Sequence, residues 1–307
     1  MRCCILYNPL AGGGRGLINS ERFAAIMPKH EFICQDITKI KDFGPFLHSI
    51  GRDTPLIICG GDGTLNHFAN RTGSIKIRNP IYVYASGNAN DFLRDLEENP
   101  DRSAFRINEY LENLPVVTVK GRDYRFLNGI FCGNAGSVRA LHILLSKSGS
   151  SMEERIKAFN TLVFKSRSCS ATVEMDGKKH SYRKVWMAPT ANGRFLSGGM
   201  CPVPEQDRFS ESGKISTLIL YGCGRLKGLI SAHAMFRGQT DKFRSQAEVL
   251  TGHDVSVSFD RPVELQIDGE TLSGVSGYRV RSPAMIKKAF SVRDCLPEKG
   301  PGTISAL

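Results

Sequence analysis

No stretch of this chain is apolar for long enough to cross a membrane as a helix. The longest run without a formal charge, Phe126 to Val138, has 13 residues, three of them glycine, far short of the ~20 apolar residues a spanning helix needs. Any membrane contact is therefore expected to be peripheral. Cys-x-x-Cys and paired His spacings are also missing, and nine cysteines in an odd count, with Cys3 beside Cys4, give neither a disulfide framework nor a zinc signature. A reduced, cytoplasmic compartment is the simplest expectation. The first residues lack a long apolar run before Asn8-Pro9, so they do not read as a signal peptide. No basic strip interleaved with aromatics is present either, which argues against a nucleic-acid partner.

What the chain does have is glycine and positive charge. Glycine accounts for 31 of 307 residues, about 10% against a usual ~7%, and the excess sits in short clusters. Such clusters belong where backbone turns tightly or approaches a ligand. The net charge of +11 is spread as +4 over residues 1–150 and +7 over the rest, a balance that favours anionic partners such as nucleotides or anionic lipid surfaces. A length of 307 residues with 41% hydrophobic and 23% charged residues fits an ordinary globular chain of two domains, at roughly 150 residues each.

The first third alternates short apolar runs with helical patterns. Cys3–Tyr7, Glu31–Ile37, Pro55–Cys59 and Ile81–Tyr84 read as strands. Helices are expected from a cap at Asn19 or Ser20 to about Met27, over Asp42–Ile50, and from about Leu65 to Asn70. Strand, Gly-rich turn and helix in repetition predict a parallel three-layer α/β domain with its ligand at the carboxyl ends of the strands. After about residue 114 the pattern changes to short runs rich in β-branched residues, among them Ser170–Met175, Tyr182–Ala188, Ile215–Tyr221, Val255–Phe259, Val263–Ile267 and Tyr278–Val280. These predict an antiparallel, sandwich-like β-rich domain over 115–283, interrupted by helices at Val138–Leu145, Met152–Phe164 and Leu226–Phe236. The first domain is set at 1–114, and the tail from about 284 to 307 is able to pack back on it.

Gly60-Gly61-Asp62-Gly63-Thr64 is the strongest local motif. Three glycines around one Asp let backbone N–H groups approach a phosphate, and the helix that follows adds its positive end. Asp62 can then face a phosphate-bound Mg²⁺ or a substrate hydroxyl. A tight strand-to-helix turn with a capping Asp would use the same residues. The motif is not a P-loop, since Gly-Lys-Ser/Thr is absent, nor a Gly-x-Gly-x-x-Gly fingerprint.

With Asn8-Pro9-Leu10-Ala11-Gly12 after the first strand, Gly87-Asn88-Ala89-Asn90-Asp91 after the fourth and Asp268-Gly269-Glu270 after a late strand, the chain resembles the diacylglycerol kinase catalytic-domain family, which includes bacterial lipid kinases and the sphingosine and ceramide kinases. The resemblance implies an ATP-dependent lipid kinase that phosphorylates a primary hydroxyl of diacylglycerol or a related lipid. By it, Asn8, Pro9, Leu10, Ala11, Gly12, Thr38, Gly60, Gly61, Asp62, Gly63, Thr64, Leu65, Asn66, Asn88 and Asp91 would bind ATP with Mg²⁺. Glu270 and Asp62 would be catalytic, with Glu270 taking the proton from the lipid hydroxyl. It further implies a lipid substrate met at a membrane surface, where the net charge of +11 favours anionic lipid. The sequence is compatible with a homodimer and assigns no metal ligands of its own.

Five positions depart from the family pattern. His67 stands where Glu is usual, Ala85 where Pro is usual, Asn88 where Thr is usual, Ser212 where an Asp binds a structural metal in some members, and Pro115 where another Asp is expected. Those departures keep a non-catalytic lipid- or nucleotide-binding relative open as an alternative, and the shared Gly-Gly-Asp-Gly-Thr does the same for an NAD kinase.

Overall fold

A computed structural model of the protein describes residues 2–87, 89–96, 104–133, 151, 153–154, 157, 168–222, 224, 230–231, 234, 237–239 and 245–282. The expected helices at Val138–Leu145, Met152–Phe164 and Leu226–Phe236 lie wholly or mostly outside these residues, as do Asn88 and the tail.

Five strands, β1 (Arg2–Tyr7), β2 (Glu31–Asp36), β3 (Leu56–Gly60), β4 (Ile81–Ala85) and β5 (Phe105–Arg106), form the first sheet in the order β2-β1-β3-β4-β5. Pairing is parallel except at β5. Successive side chains in a strand point to opposite faces, and β1 buries both. Cys3 and Ile5 pack with Phe23 and Met27, whereas Cys4 and Leu6 pack with Phe43, Leu47 and Phe68. Helix α2 (Gly16–Ile26) therefore covers one face, and α3 (Phe43–Ile50) and α4 (Asp62–Arg71) cover the other. A short turn, α1 (Ala11–Gly14), follows β1, and two further short helices are α5 (Asp91–Asp95) and α6 (Asn108–Glu112). This is the three-layer arrangement that the sequence pattern implies.

Two helix starts differ from expectation. Helix α2 begins at Gly16, not after Asn19 or Ser20, because Gly16 packs on the Asn8 carbonyl so closely that a Cβ would lie 1.8 Å from that oxygen. Helix α4 begins at Asp62, three residues before Leu65, since the Gly61 carbonyl accepts from both Thr64 N–H (2.9 Å) and Leu65 N–H (3.1 Å). The Gly-rich segment is thus largely the first turn of a helix.

The remaining strands are β6 (Val116–Val119), β7 (Arg122–Arg125), β8 (Gly129–Gly133), β9 (Cys169–Met175), β10 (Lys178–Val185), β11 (Thr190–Ala191), β12 (Ile215–Leu220), β13 (Ala247–Gly252), β14 (Asp254–Ile267) and β15 (Glu270–Arg281). They make a second, antiparallel sheet around a core that includes Val117, Phe126, Val173, Ile219, Val257 and Leu265. Val255–Phe259 and Val263–Ile267, expected as two strands, are one strand whose register shifts between Ser258 and Val263. Pro262 lies in that interval and has no N–H to give a ladder, so the irregularity is where it is tolerated. Across the shift β14 changes neighbour, pairing first with β9 and then with β8. Asp268 and Gly269 join β14 to β15 with φ of 41° and 102°, the left-handed pair that a two-residue hairpin requires and Asp-Gly supplies.

Candidate active site

The two sheets meet at a cleft of about 740 Å³ lined from both sides. From the first domain come Asn8, Leu10, Ala11 and Gly12, with Gly13, Gly14 and Thr38, then Gly61, Asp62, Gly63, Thr64 and His67, and Gly87, Ala89 and Asp91. From the second come Asn128, Ser197, Gly198, Gln266 and Asp268–Thr271, including Glu270. The hairpin turn after β14 therefore brings Glu270 to the cleft that holds the start of α4. Four expected residues do not line it. Leu65 belongs to the apolar core, and Asn66 is buried with its amide donating to Arg125 O and Asp268 Oδ2, both at 3.0 Å. Gly60 is needed behind Thr64, whose side chain a Cβ there would approach to 2.4 Å, and Pro9 backs the turn against Gly16.

Glycine lets the turns close on one another. A Cβ on Gly87 would lie 2.4 Å from the Gly61 Cα, and one on Gly12, whose φ is +60°, would lie 2.6 Å from the Ser86 carbonyl oxygen. The Asn8 side chain shapes the neighbouring turn by accepting from Leu10 N–H at 3.0 Å. Thr38 is held by Asp36, whose Oδ1 accepts from its N–H and hydroxyl at 2.9 and 2.7 Å. At the first turn of α4, N–H groups without intrahelical partners add a positive end to the same wall.

Four carboxylates line the cleft. Asp62 accepts from Phe92 N–H and Asn128 Nδ2 at 2.9 Å and from Asp91 N–H at 3.0 Å, so it caps α5 while half-exposed to the cleft. Asp91 is buried, with Oδ2 accepting from Gly198 N–H at 2.7 Å and Oδ1 without a partner. Burial, and then the charge of Asp62, hold its carboxyl well above the usual carboxylate range. Asp268 accepts from the N–H groups of Leu127, Asn128 and Gly129 and from Asn66, tying the β14 turn to the strand start of β8 and to α4. Burial pushes it up to about 6 against the opposing pull of those backbone donors. Glu270, in contrast, is exposed.

His67 lies on the same wall, its imidazole held below the ordinary value by partial burial and by Arg71, with Glu270 acting in the other direction. Ser212 borders a separate groove of about 430 Å³ in the second domain, and Pro115 accepts from Phe126 N–H at 3.2 Å, so neither departure touches the cleft. Among the described residues no group of three or more His, Cys, Asp and Glu is arranged to hold a metal ion. Sequence reading passed over Ser197 and Gln266 as site residues. Their only local trace is a Ser197-Gly198-Gly199 run, in which all three φ values are positive, and a polar Gln266 that is 3% exposed between Leu265 and Ile267.

Residues 2–118 match the family described as the diacylglycerol kinase catalytic domain. A Staphylococcus aureus (strain JH9) protein, provisionally named a lipid kinase, is 25% identical over 230 residues, 70% of each chain. One from Staphylococcus carnosus (strain TM300), named in the same way, is 22% identical over 68% of this chain and 72% of its own. The fold is similar to a crystal structure of a diacylglycerol kinase from Bacillus anthracis str. Sterne, with a TM-score of 0.59 at 16% identity over 92% of this chain and 93% of that one. Residues 2–118 are thus similar to the diacylglycerol kinase catalytic domain, and the parallel α/β unit with its β-rich second sheet is the fold shared with the Bacillus anthracis protein.

Proposed function

We propose that the chain is an ATP-dependent lipid kinase that transfers the γ-phosphoryl group to a primary hydroxyl of diacylglycerol or a related lipid. One observation carries the reading above others. The Asp268-Gly269 turn brings the exposed carboxylate of Glu270 to the cleft that also holds the N-terminus of α4. Phosphoryl transfer depends mainly on positioning and charge neutralisation, and a carboxylate near the acceptor hydroxyl assists the proton's departure. In this reading the lipid oxygen forms a bond to the γ-phosphorus, the bond from that phosphorus to the bridging oxygen of ADP breaks, and Glu270 takes the hydroxyl proton.

The cleft suits a nucleotide and its cation. Gly14 and Gly63, where a Cβ would meet nothing within 4 Å, leave bare backbone on the cleft wall, and the buried Oδ1 of Asp91, close enough to Asp62 to feel its charge, is left without a partner. Asn8 to Gly12, Thr38 and Gly61 to Thr64 would hold the nucleotide, and Asp62 with Asp91 would hold a phosphate-bound Mg²⁺. That ion, when bound, neutralises charge on the phosphates. Among the described residues no helix is long and apolar enough to cross a membrane, and the charge of +11 supports peripheral attachment to anionic lipid. Incubation of the purified protein with labelled ATP and extracted lipids tests the proposal. A labelled phospholipid that depends on both protein and lipid is expected. ATP binding without transfer would leave a non-catalytic relative, and label appearing on NAD would replace the proposal with a NAD kinase.

A further inference from the structure

A buried charge cluster lies where the two domains meet, and the proposed chemistry does not call on it. Asp95, at the end of α5, and Arg208, in the segment before β12, have side chains 3% and 4% exposed and form an ion pair. Arg194 joins them, its Nε donating to Asp95 Oδ1 at 2.9 Å. The pair closes over Gly193, where a Cβ would lie 2.0 Å from Arg208 Nη2 and 2.4 Å from Asp95 Oδ2. A buried guanidinium is tolerated only when its N–H groups find acceptors, and here they do. Besides Asp95, Arg208 donates from Nη1 to the Leu127 carbonyl at 3.3 Å and from Nη2 to Asn128 Oδ1 at 2.9 Å, and its carbon centre stands 5.0 Å over the Phe92 ring.

The bond to Asn128 has a consequence at the cleft. Arginine has no acceptor and an ionised carboxylate has no donor, so an amide between them can stand only one way round. The oxygen of Asn128 must face Arg208, and its Nδ2 must face Asp62, to whose Oδ1 it donates at 2.9 Å. Asp62 belongs to the first domain, and Asn128 immediately precedes β8, which pairs with β14, the strand leading to Glu270. From this we infer that Arg208 is a positioning residue for phosphoryl transfer: through Asn128 it couples the seating of the β-rich domain, which carries Glu270, to the carboxylate of Asp62. The role rests on the kinase reading above, but the relay itself is a physical connection that can be measured without turnover.

Three variants test it: Arg208→Lys, Asn128→Ala and the two combined. Lysine keeps a positive charge beside Asp95 but lacks the planar fork that reaches both partners. Each single variant is expected to lower kcat by roughly tenfold or more with ATP affinity within about threefold. The double variant should be no worse than Asn128→Ala by more than about threefold, because one residue acts through the other. Hydrogen exchange at the Asp91 and Phe92 amides, which donate to Asp62, should quicken by roughly fivefold or more in Arg208→Lys. Should that variant fail to fold, Asp95→Leu with Arg208→Met removes both buried charges together, and a cooperative melt with a lowered kcat is the expected result. Losses that multiply in the double variant, unchanged exchange at those two amides, or normal kcat in the apolar pair would each overturn the assignment. Absence of lipid phosphorylation in the unsubstituted protein would sink the kinase reading alone, leaving the exchange comparison to decide the relay.

Discussion

Asp62 serves two neighbours at once, capping α5 through the Asp91 and Phe92 amides while facing the cleft. Asp62→Asn keeps the size but removes the charge and sets an NH₂ among N–H donors, so turnover is expected to fall at least ~100-fold. Steady-state kinetics within threefold of the unsubstituted protein would remove its role. Asp91 and Asp268 yield a pH prediction. Both are raised, Asp268 to about 6, so the folded chain holds these protons more tightly than the unfolded chain does. Their stabilising contribution is complete below the ordinary carboxylate value and is lost as pH rises through the folded value. For Asp268, raised from 3.8 to about 6, that is a swing of order 3 kcal/mol between acid and neutral pH. Asp91→Asn removes one such group and turns a donor toward Asp62. Urea unfolding at pH 5 and 7.5 should show the variant gaining stability at the higher pH, by about 1–2 kcal/mol, with a shallower pH slope. An unchanged slope would show that burial leaves Asp91 unperturbed.

Among the elements, the start of α4 separates folding from ligand binding. A Cβ on Gly61 would lie 2.8 Å from the Gly87 Cα, whereas one on Gly63 would meet nothing within 4 Å. Gly63→Ala should leave stability unchanged or raise it by about 0.5–1 kcal/mol through helix propensity, yet weaken ATP binding by filling the wall where phosphate is expected. Gly61→Ala should lower both stability, by about 1–3 kcal/mol, and ATP affinity. Thermal melts beside calorimetry distinguish the two, and equal affinities for both variants would place the phosphates elsewhere. What could be read from the sequence follows the same division. The four parallel strands of the first sheet were legible because hydrophobic periodicity is local, whereas the two-residue antiparallel edge strand β5 was not expected. The helix starts were missed because a carbonyl at Gly61 and a packing contact at Gly16 set them. Neither Asn128 nor Arg208 was legible as a site residue, since their partners Asp62 and Asp95 lie 66 and 113 residues away.

For the whole molecule, the proposed division of labour is that the first domain binds nucleotide and the second brings the base and the lipid. Attachment to vesicles is expected to rise with anionic-lipid content and fade as salt shortens the reach of the net charge of +11. Co-sedimentation indifferent to both would show that charge does not hold the chain at a membrane. The central claim is that Glu270 acts on the acceptor hydroxyl while ATP is held from the opposite side of the cleft. Glu270→Gln keeps shape and hydrogen bonding but loses basicity, so the direct measurement is its lipid phosphorylation rate beside its ATP affinity by calorimetry. The account predicts a kcat lower by roughly 10²–10⁴ with ATP affinity within a few fold; a normal kcat, or a variant that no longer binds ATP, would contradict it.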